Sequence, residues 1–499
     1  MIFEREYIKK LELLSDEVLK NDKTLSPTSR LLIETLTATV VIIFDELETA
    51  NVRLKGAEDE ITKIKLQLAK NSSNSNLPPS SNRPNNPPQV KGKISSTRKP
   101  GAQPGHIGQT LLKSEIPDQV VVHKLKGRCG KCGISLSKLS RTGYSERQVF
   151  DLIIKTIITS HQAEVAKCNC GKFHTAEFPE GVVGHTQYGN TAKSFVNYFS
   201  LYQLVPYERL TEIFKDLFNL PLCEGTIFNV NNKCSAGLTE FEDNLKENII
   251  KEEVNNADES PIKIKDKNAY LHVFSNKHMT YLHASKSRGQ VALDEMGLLN
   301  NYKNTLVHDS YSMYFSSKYK NSLCHSHLGR EFTFAEEELK IRWAHKMKIF
   351  FLDLNDFLDD YRAGKTNKTP KDLQIIFEHE YDKLIEEAKI ESPMWNWKSN
   401  EKKPIDANLL RRLIIHKEAV LRFMKNLNVP FTNNLAERDL RMAKVRQKIS
   451  GCFRTIENAR TYARIRSFIS TLKKQGRNIF QNLSLVHSQP NYGFLELFS

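Results

Sequence analysis

Three carboxylates stand at positions where shared chemistry is conceivable. Asp258 lies in the strand-like run that begins at Val254, Asp309 closes the apolar run Thr305–His308, and Glu437 opens a basic helical stretch behind Asn433-Asn434. Acids that cap helices or start turns account for most carboxylates, so placement alone assigns nothing. Gathered together, however, carboxylates repel and require a cation, and Mg²⁺ prefers such oxygen ligands while keeping waters; Mn²⁺ suits the same donors. Two such ions ~3.5–4 Å apart activate an attacking hydroxyl and stabilise the leaving oxygen in phosphodiester displacement. Arg441 and Lys444 follow Glu437 by four and seven residues and so share its helix face, with Arg438, Arg446 and Lys448 widening the patch. Cations there suit an approaching phosphate backbone. The competing reading is a solvated helix with a Glu437–Arg441 ion pair, worth only ~0.3–0.5 kcal/mol.

A second constellation is thiol-based. Cys129-Gly-Lys-Cys132-Gly precedes a β-rich run, Val149 to Thr159, and Cys168-Asn-Cys170-Gly-Lys-Phe-His174 follows it. Two glycine-rich knuckles joined by strands describe a zinc ribbon in which Cys129, Cys132, Cys168 and Cys170 close a tetrahedral site. The second knuckle has one residue between its cysteines, which leaves His174 as an alternative ligand. Four free thiols in a core is the competing reading.

The carboxylates need a scaffold, and the patterning supplies one. Val254–Ser260 and Ile262–Ile264, Ala269–Ser275 and Met279–Ala284 read as strands, with Asn276 and Lys277 at a turn. A helix over Gln290–Leu299, a buried-type strand Thr305–His308 and a short strand Ser322–His325 follow. Three strands, a helix and further strands is the order of a ribonuclease-H-like mixed sheet, although strand order leaves other α/β folds open. In that sheet the strands bearing Asp258 and Asp309 are neighbours and the helix bearing Glu437 lies across them. Residues 328–430 read as almost wholly helical, over Glu336–Tyr361, Asp372–Lys389 and Ala407–Leu427. Upstream, Tyr207–Phe218 and Glu224–Asn232 flank the break Asn219-Leu220-Pro221, a helix-turn-helix-like pair.

Residues 28–70 carry a heptad repeat. Ile33, Val40, Leu47, Leu54, Ile61 and Leu68 recur every seven residues, and Leu36, Ile43, Ala50, Ala57 and Ile64 fill the second apolar position. An unbroken repeat of this kind predicts a coiled coil that pairs two or more copies of the chain, with a helix packed on its own chain as the competing reading. Residues 71–112 are Asn, Ser and Pro with Lys91, Lys93, Arg98 and Lys99 and no acid until past the segment, which reads as an extended basic linker. The expected organisation is therefore N-terminal helices and coiled coil over 1–70, linker over 71–112, zinc ribbon over 113–185 and a helix-turn-helix-like segment over 186–245. A multidomain α/β core then runs over 246–334, interrupted by a helical insertion over 335–430 and completed over 431–499.

Composition narrows the function classes. The chain has 499 residues, 73 Lys and Arg against 58 Asp and Glu, a formal charge of +15, and 39% hydrophobic residues. Wholesale disorder is excluded by that apolar content. The densest apolar patch, Val40–Phe44, is far short of the ~20 residues a membrane span needs. No export signal stands at the start, and eight Cys suit a reducing cytoplasm better than a disulfide scaffold. The basic excess points to a polyanionic partner; residues 437–477 alone hold twelve Lys or Arg against three acids.

These residues carry a family resemblance. The stretches KNSSNSNLPPSS, KPGAQPGHIGQTL, CNCGKFHTAEFPEGV, YGNTAKSFVNYF, NADESPIKI, LVHDSYSMY, LCHSHLGREF and NNLAERDLRMAKVRQKISGCFRT resemble the insertion sequence 66 family of DDE transposases, from about Leu32 to Lys474. The resemblance implies that Asp258, Asp309 and Glu437 are the DDE triad. Asp258 and Asp309 then hold one Mg²⁺ and Glu437 helps hold a second. Water cuts at the element's end, and the exposed 3′-hydroxyl attacks target DNA without a covalent enzyme intermediate. It likewise implies zinc at the four cysteines, a bacterial and nucleoid-associated setting, and small accessory transposition proteins. On this reading His327 and Arg330 orient the scissile phosphate with Arg438, Arg441 and Lys444, while His325, Trp343, Trp395 and Trp397 belong to cores. Two other functions remain open: a catalytically silent DNA-binding regulator, and a structure-selective nuclease on the same fold.

Overall fold

The computed structural model describes residues 2–75, 108, 110–366, 369–396 and 404–498. Most of the expected basic linker, with Lys91, Lys93, Arg98 and Lys99, lies outside the described residues, as does Trp397. The chain divides into two compact units, each discontinuous in sequence: Met1–Gln89 with Ser322–Thr432, and Val90–Asn321 with Asn433–Ser499.

The first unit opens with helices α1 (Ile2–Asn21) and α2 (Pro27–Ala69). Ser26 caps α2 by accepting the Ser29 N–H, and Pro27 occupies its first position, where a missing N–H costs nothing. The helix α1 is joined to α2 where Thr37 Oγ1 donates to Ser15 Oγ at 3.0 Å. Along this stretch Ile33, Thr37, Val41 and Phe44 are half-buried. That face shares Ile33 with the heptad seam, which otherwise stays open: Leu36, Ile43, Leu47, Leu54 and Ile61 are all more than half exposed.

In the second unit a short antiparallel hairpin comes first, β1 (Val165–Lys167) with β2 (Phe173–Thr175). The β-rich run expected at Val149–Thr159 forms no strand, and Val149, Leu152 and Ile153 are about nine-tenths exposed. Strand propensity yields a strand only where a neighbour accepts the backbone hydrogen bonds, and none pairs with this run among the described residues. Four helices follow, α3 (Asn190–Asn197), α4 (Tyr207–Phe218), α5 (Glu224–Ala236) and α6 (Thr239–Ile249). The α4–α5 break falls at Asn219, whose left-handed backbone (φ 51°) ends α4. Leu210 and Phe214 of α4 meet Ile227 and Val230 of α5 in a shared core, whereas Leu217 faces out.

The sheet is built from β3 (Val254–Ile264), β4 (Lys267–Ser275), β5 (Thr280–Ser285), β6 (Thr305–His308) and β7 (Lys320–Leu323), with α7 (Gln290–Met296) between β5 and β6. The order is β5-β4-β3-β6-β7; β3–β4 and β4–β5 are antiparallel and β3–β6 is parallel. The two runs expected on either side of Pro261 are one strand. Proline is tolerated there because the parallel pairing with β6 covers only Val254–Asn256, leaving that edge of β3 free at Pro261. Asn276 makes the β4–β5 turn, its side chain accepting the N–H groups of His278 and Met279. Strand β7 is where the chain passes from the second unit into the first.

Five helices complete the first unit: α8 (His325–Glu337), α9 (Arg342–Arg362), α10 (Pro370–Glu391), α11 (Ile405–Ile415) and α12 (Lys417–Lys425). The helix expected over Glu336–Tyr361 is broken at Lys340 (φ 58°), where the Ile341 N–H reaches back to Ala335. The one expected over Ala407–Leu427 breaks at His416. Trp343, Phe351, Tyr381, Leu413 and Phe423 fill the core, and Trp343 donates its indole N–H to Ser392.

The chain then returns to the second unit as α13 (Asn434–Ser450), α14 (Ile456–Lys474) and α15 (Ile479–Ser488). Strand β5 is an edge strand, and α14 satisfies it: Ser467 and Thr471 accept the N–H groups of Leu282 and Thr280 at 2.8 and 3.1 Å. Among the described residues no helix is long and apolar enough to cross a membrane.

Candidate active site

The parallel register places two of the acids. Val254, Asn255 and Asn256 of β3 pair with Thr305, Leu306 and Val307 of β6. Continued two residues further, that register sets Asp258 level with Asp309. The chain turns sharply just after β6: Ser310 has a left-handed backbone (φ 73°), and Asp309 Oδ1 accepts the Tyr311 N–H at 3.0 Å. A non-glycine residue in that region is strained and is held only by its surroundings.

The third acid arrives on α13, which packs across β3 and β4. Asn433, fully buried just before this helix, ties it to β3. Its amide donates to the Ala257 carbonyl at 2.8 Å and its carbonyl accepts from Asn256 at 2.8 Å. Lys444 adds a second tie, its ammonium donating to the Pro261 carbonyl at 2.5 Å. Glu437 sits in the first turn of α13 and is half-buried.

The electrostatics bind these placements together. Burial pushes the Asp258 carboxyl well above the ordinary aspartate range, and the charges of Asp309, Glu259 and Glu437 push it further. The register sets Asp258 beside Asp309 at one end of the sheet in the second unit, and Glu437 lies near enough for its charge to act on Asp258. Crowded, partly desolvated carboxylates are an arrangement that a hard divalent cation relieves, so the donor set fits Mg²⁺ or Mn²⁺.

A neighbouring network escaped the sequence reading. Glu259 follows Asp258, yet its side chain is only 2% exposed. Arg288 grips one of its oxygens from Nε and Nη2 at 2.9 and 2.7 Å, and the Tyr314 hydroxyl donates to the other at 2.7 Å. The Arg288 guanidinium also stacks 4.3 Å from the Tyr311 ring centre. These bonds occupy Glu259 and separate its role from that of the triad. The only sequence signal was the adjacent acid pair Asp258-Glu259.

The remaining candidates lie on two helices and in the cores. Arg438 and Arg441 are exposed on α13. Arg330, His327 and His325 belong to α8 in the first unit. Arg330 reaches Ser326 within its own helix, and His327 is buried. His325 is enclosed by the rings of Phe351, Phe423 and Phe431, with centroids 4.5–4.7 Å away. Trp343 is core, as expected, and Trp395 is half-buried beneath Lys389.

Each cysteine knuckle is a tight, backbone-bonded turn. The Cys129 carbonyl accepts the Gly133 N–H and the Cys168 carbonyl accepts the Gly171 N–H, at 2.9 and 2.8 Å. Backbone N–H groups at Lys131 and Cys132 lower the Cys129 thiol below its ordinary value, and those at Cys170 do the same for Cys168. Donors aimed at sulfur favour the thiolate, the form that ligates metal. Cys132, Cys168 and Cys170 are exposed, and His174 lies in β2.

Comparison with known proteins gives two family matches. A model of the transposase IS66 family matches residues 185–461. A family of unknown function matches residues 25–111. No curated protein matches the chain.

Proposed function

This chain belongs to the transposase IS66 family, and from that premise we propose that Asp258, Asp309 and Glu437 form its DDE site, cutting element ends and joining them to target DNA. What supports the reading is that the charges of Asp309 and Glu437 both act on Asp258. The parallel β3–β6 register aligns two of them, and the Asn433 tie lays the third across the same strand. The sheet order β5-β4-β3-β6-β7 supports a ribonuclease-H-like core interrupted by the α8–α12 helices.

Asp258 and Asp309 would hold one divalent ion and Glu437 would help hold a second. When bound, such ions lower the cost of forming an attacking oxyanion and of releasing the 3′-oxygen. The chain's own groups supply geometry. The carboxylates define where the scissile phosphate sits, and Asn256, Asn433 and Lys444 fix α13 against β3. Arg438 and Arg441 neutralise neighbouring phosphates. No serine or tyrosine nucleophile is required.

The other assignments follow in the same frame. Cys129, Cys132, Cys168 and Cys170 would hold one structural Zn²⁺, with His174 as the alternative ligand. The α4–α5 pair and this ribbon would read element ends. The exposed heptad seam of α2 would pair two copies of the chain so that both ends are held. Accessory proteins and a nucleoid setting belong to this proposal and rest on the family.

The test uses the full chain with labelled duplexes carrying the ends of its own element. Asp258→Asn, Asp309→Asn and Glu437→Gln should each abolish Mg²⁺-dependent cutting and strand transfer while duplex binding persists. Strand transfer retained in any of them would refute the triad. Cutting of branched DNA without joining would favour the nuclease.

A further inference from the structure

At the far end of α13 from Glu437, the second unit holds a cleft of about 390 Å³ lined by Lys263, Lys265, Asp266, Gln447, Gly451 and Cys452. It forms where α13 stops. Gly451 adopts φ 71°, and the chain then runs back along β3, with the Phe453 N–H on the Lys263 carbonyl and the Lys265 N–H on the Phe453 carbonyl, both 2.9 Å. A Cβ added at Gly451 would meet open space, so the glycine serves the turn and not a tight contact.

Among the side chains lining this cleft, cations outnumber acids. Gln447 Nε2 is buried and has no hydrogen-bond partner among the described residues. The preceding residue, Arg446, is not part of the lining; its guanidinium packs 3.9 Å from the Phe453 ring centre. Lys263 and Lys265 are exposed and make no ion pair among the described residues, and Asp266 is the single acid in the lining. A buried amide donor costs free energy until something accepts from it. A group that only accepts and carries negative charge satisfies this set, and phosphate is the fitting class.

We propose that this cleft seats a phosphate of the DNA backbone, several base pairs from the triad. The assignment rests on the transposase reading for its partner. Ten residues of helix separate Gln447 from Glu437, a rise of ~15 Å. That is about four steps of duplex at ~3.4 Å per step along one strand. The face between them is continuous: Glu437, Arg441, Lys444 and Lys448 are spaced four, three and four apart, and Arg441 and Lys448 are exposed. Lys444 is turned inward onto Pro261, so the track to the cleft runs through Arg441 and Lys448.

The experiment measures duplex binding by the full chain across a salt series without divalent metal, with inorganic phosphate as competitor. Lys263→Ala/Lys265→Ala should weaken binding and flatten the slope of log affinity against log salt by about 0.9 for the lost phosphate. Gln447→Leu keeps the charge, so it should weaken binding with the slope unchanged. Inorganic phosphate should compete with duplex in the parent and less so in the lysine variant. Wild-type slope and affinity in the lysine variant would overturn the proposal. So would phosphate binding that never competes with DNA, which would make this a free-anion site. Wild-type affinity in Gln447→Leu would remove the amide from the seat and refute it as built. Because binding is read without cutting, failure here is distinct from failure of the triad, which Asp258→Asn reports through strand transfer.

Discussion

Asp258 concentrates the residue-scale physics of the site. Burial and three neighbouring acids raise its carboxyl. An acid raised in the folded state contributes stability below its unfolded value, and that contribution is lost as pH rises through the folded one. Metal-free protein should therefore lose stability as pH climbs from about 4, and Asp258→Asn should flatten that fall. Mg²⁺ should raise the melting temperature of the parent and leave Asp258→Asn nearly unmoved, which thermal shift at fixed pH will show. His325 behaves in the opposite sense. Burial among aromatic rings holds its imidazole down, to about 3, against an ordinary 6.5. A base lowered on folding gives stability that is present above its unfolded value and lost as pH falls toward the folded one. His325→Leu should thus remove up to ~5 kcal/mol of the destabilisation accumulated between pH 6.5 and 3, read as a shallower acid limb in urea titrations. The sequence marked both residues by type and place. Their environments come from strands and helices distant in the chain, which no local pattern records.

Among the elements, α2 and α13 are the most legible and the most consequential. The heptad of α2 reads directly from spacing. The structure adds that the half-buried face of α2 shares only Ile33 with the seam, with Leu47, Leu54 and Ile61 left 58%, 60% and 51% exposed. Charging that seam with Leu54→Asp/Ile61→Asp should shift the full chain to monomer in analytical ultracentrifugation, while helix content by circular dichroism stays unchanged. An oligomer unaffected by these changes would place self-association elsewhere. For α13 the Glu437–Arg441–Lys444 stripe was visible as a helix face, and the basic character of the segment with it. Its anchoring was not: Asn433 bonds residues of β3 that precede it by more than 170 positions. Asn433→Ala should strip hydrogen bonds from a buried site and destabilise the unit by roughly 1–3 kcal/mol in chemical denaturation. The run Val149–Thr159 teaches the converse. Its residues favour strands, yet pairing partners decide whether a strand exists.

The whole molecule consists of two compact units, each assembled from separated stretches of chain. Each has its own core, so calorimetry should resolve more than one unfolding transition in the full chain, and a single two-state transition would contradict that division. The amino-acid order by itself determined what local spacing can encode: the heptad, the cysteine knuckles, the helix faces, the turn at Asn276 and the acids available for metal. It also determined a +15 charge suited to DNA. Only the tertiary structure decided which acids meet, that Glu259 is occupied by Arg288 and Tyr314, that Lys444 turns inward, and that unsatisfied donors gather at the end of α13. The physical reason is that faces and caps follow from neighbours within a few residues. Convergence follows from strand register and burial, which are settled when remote segments exclude water together.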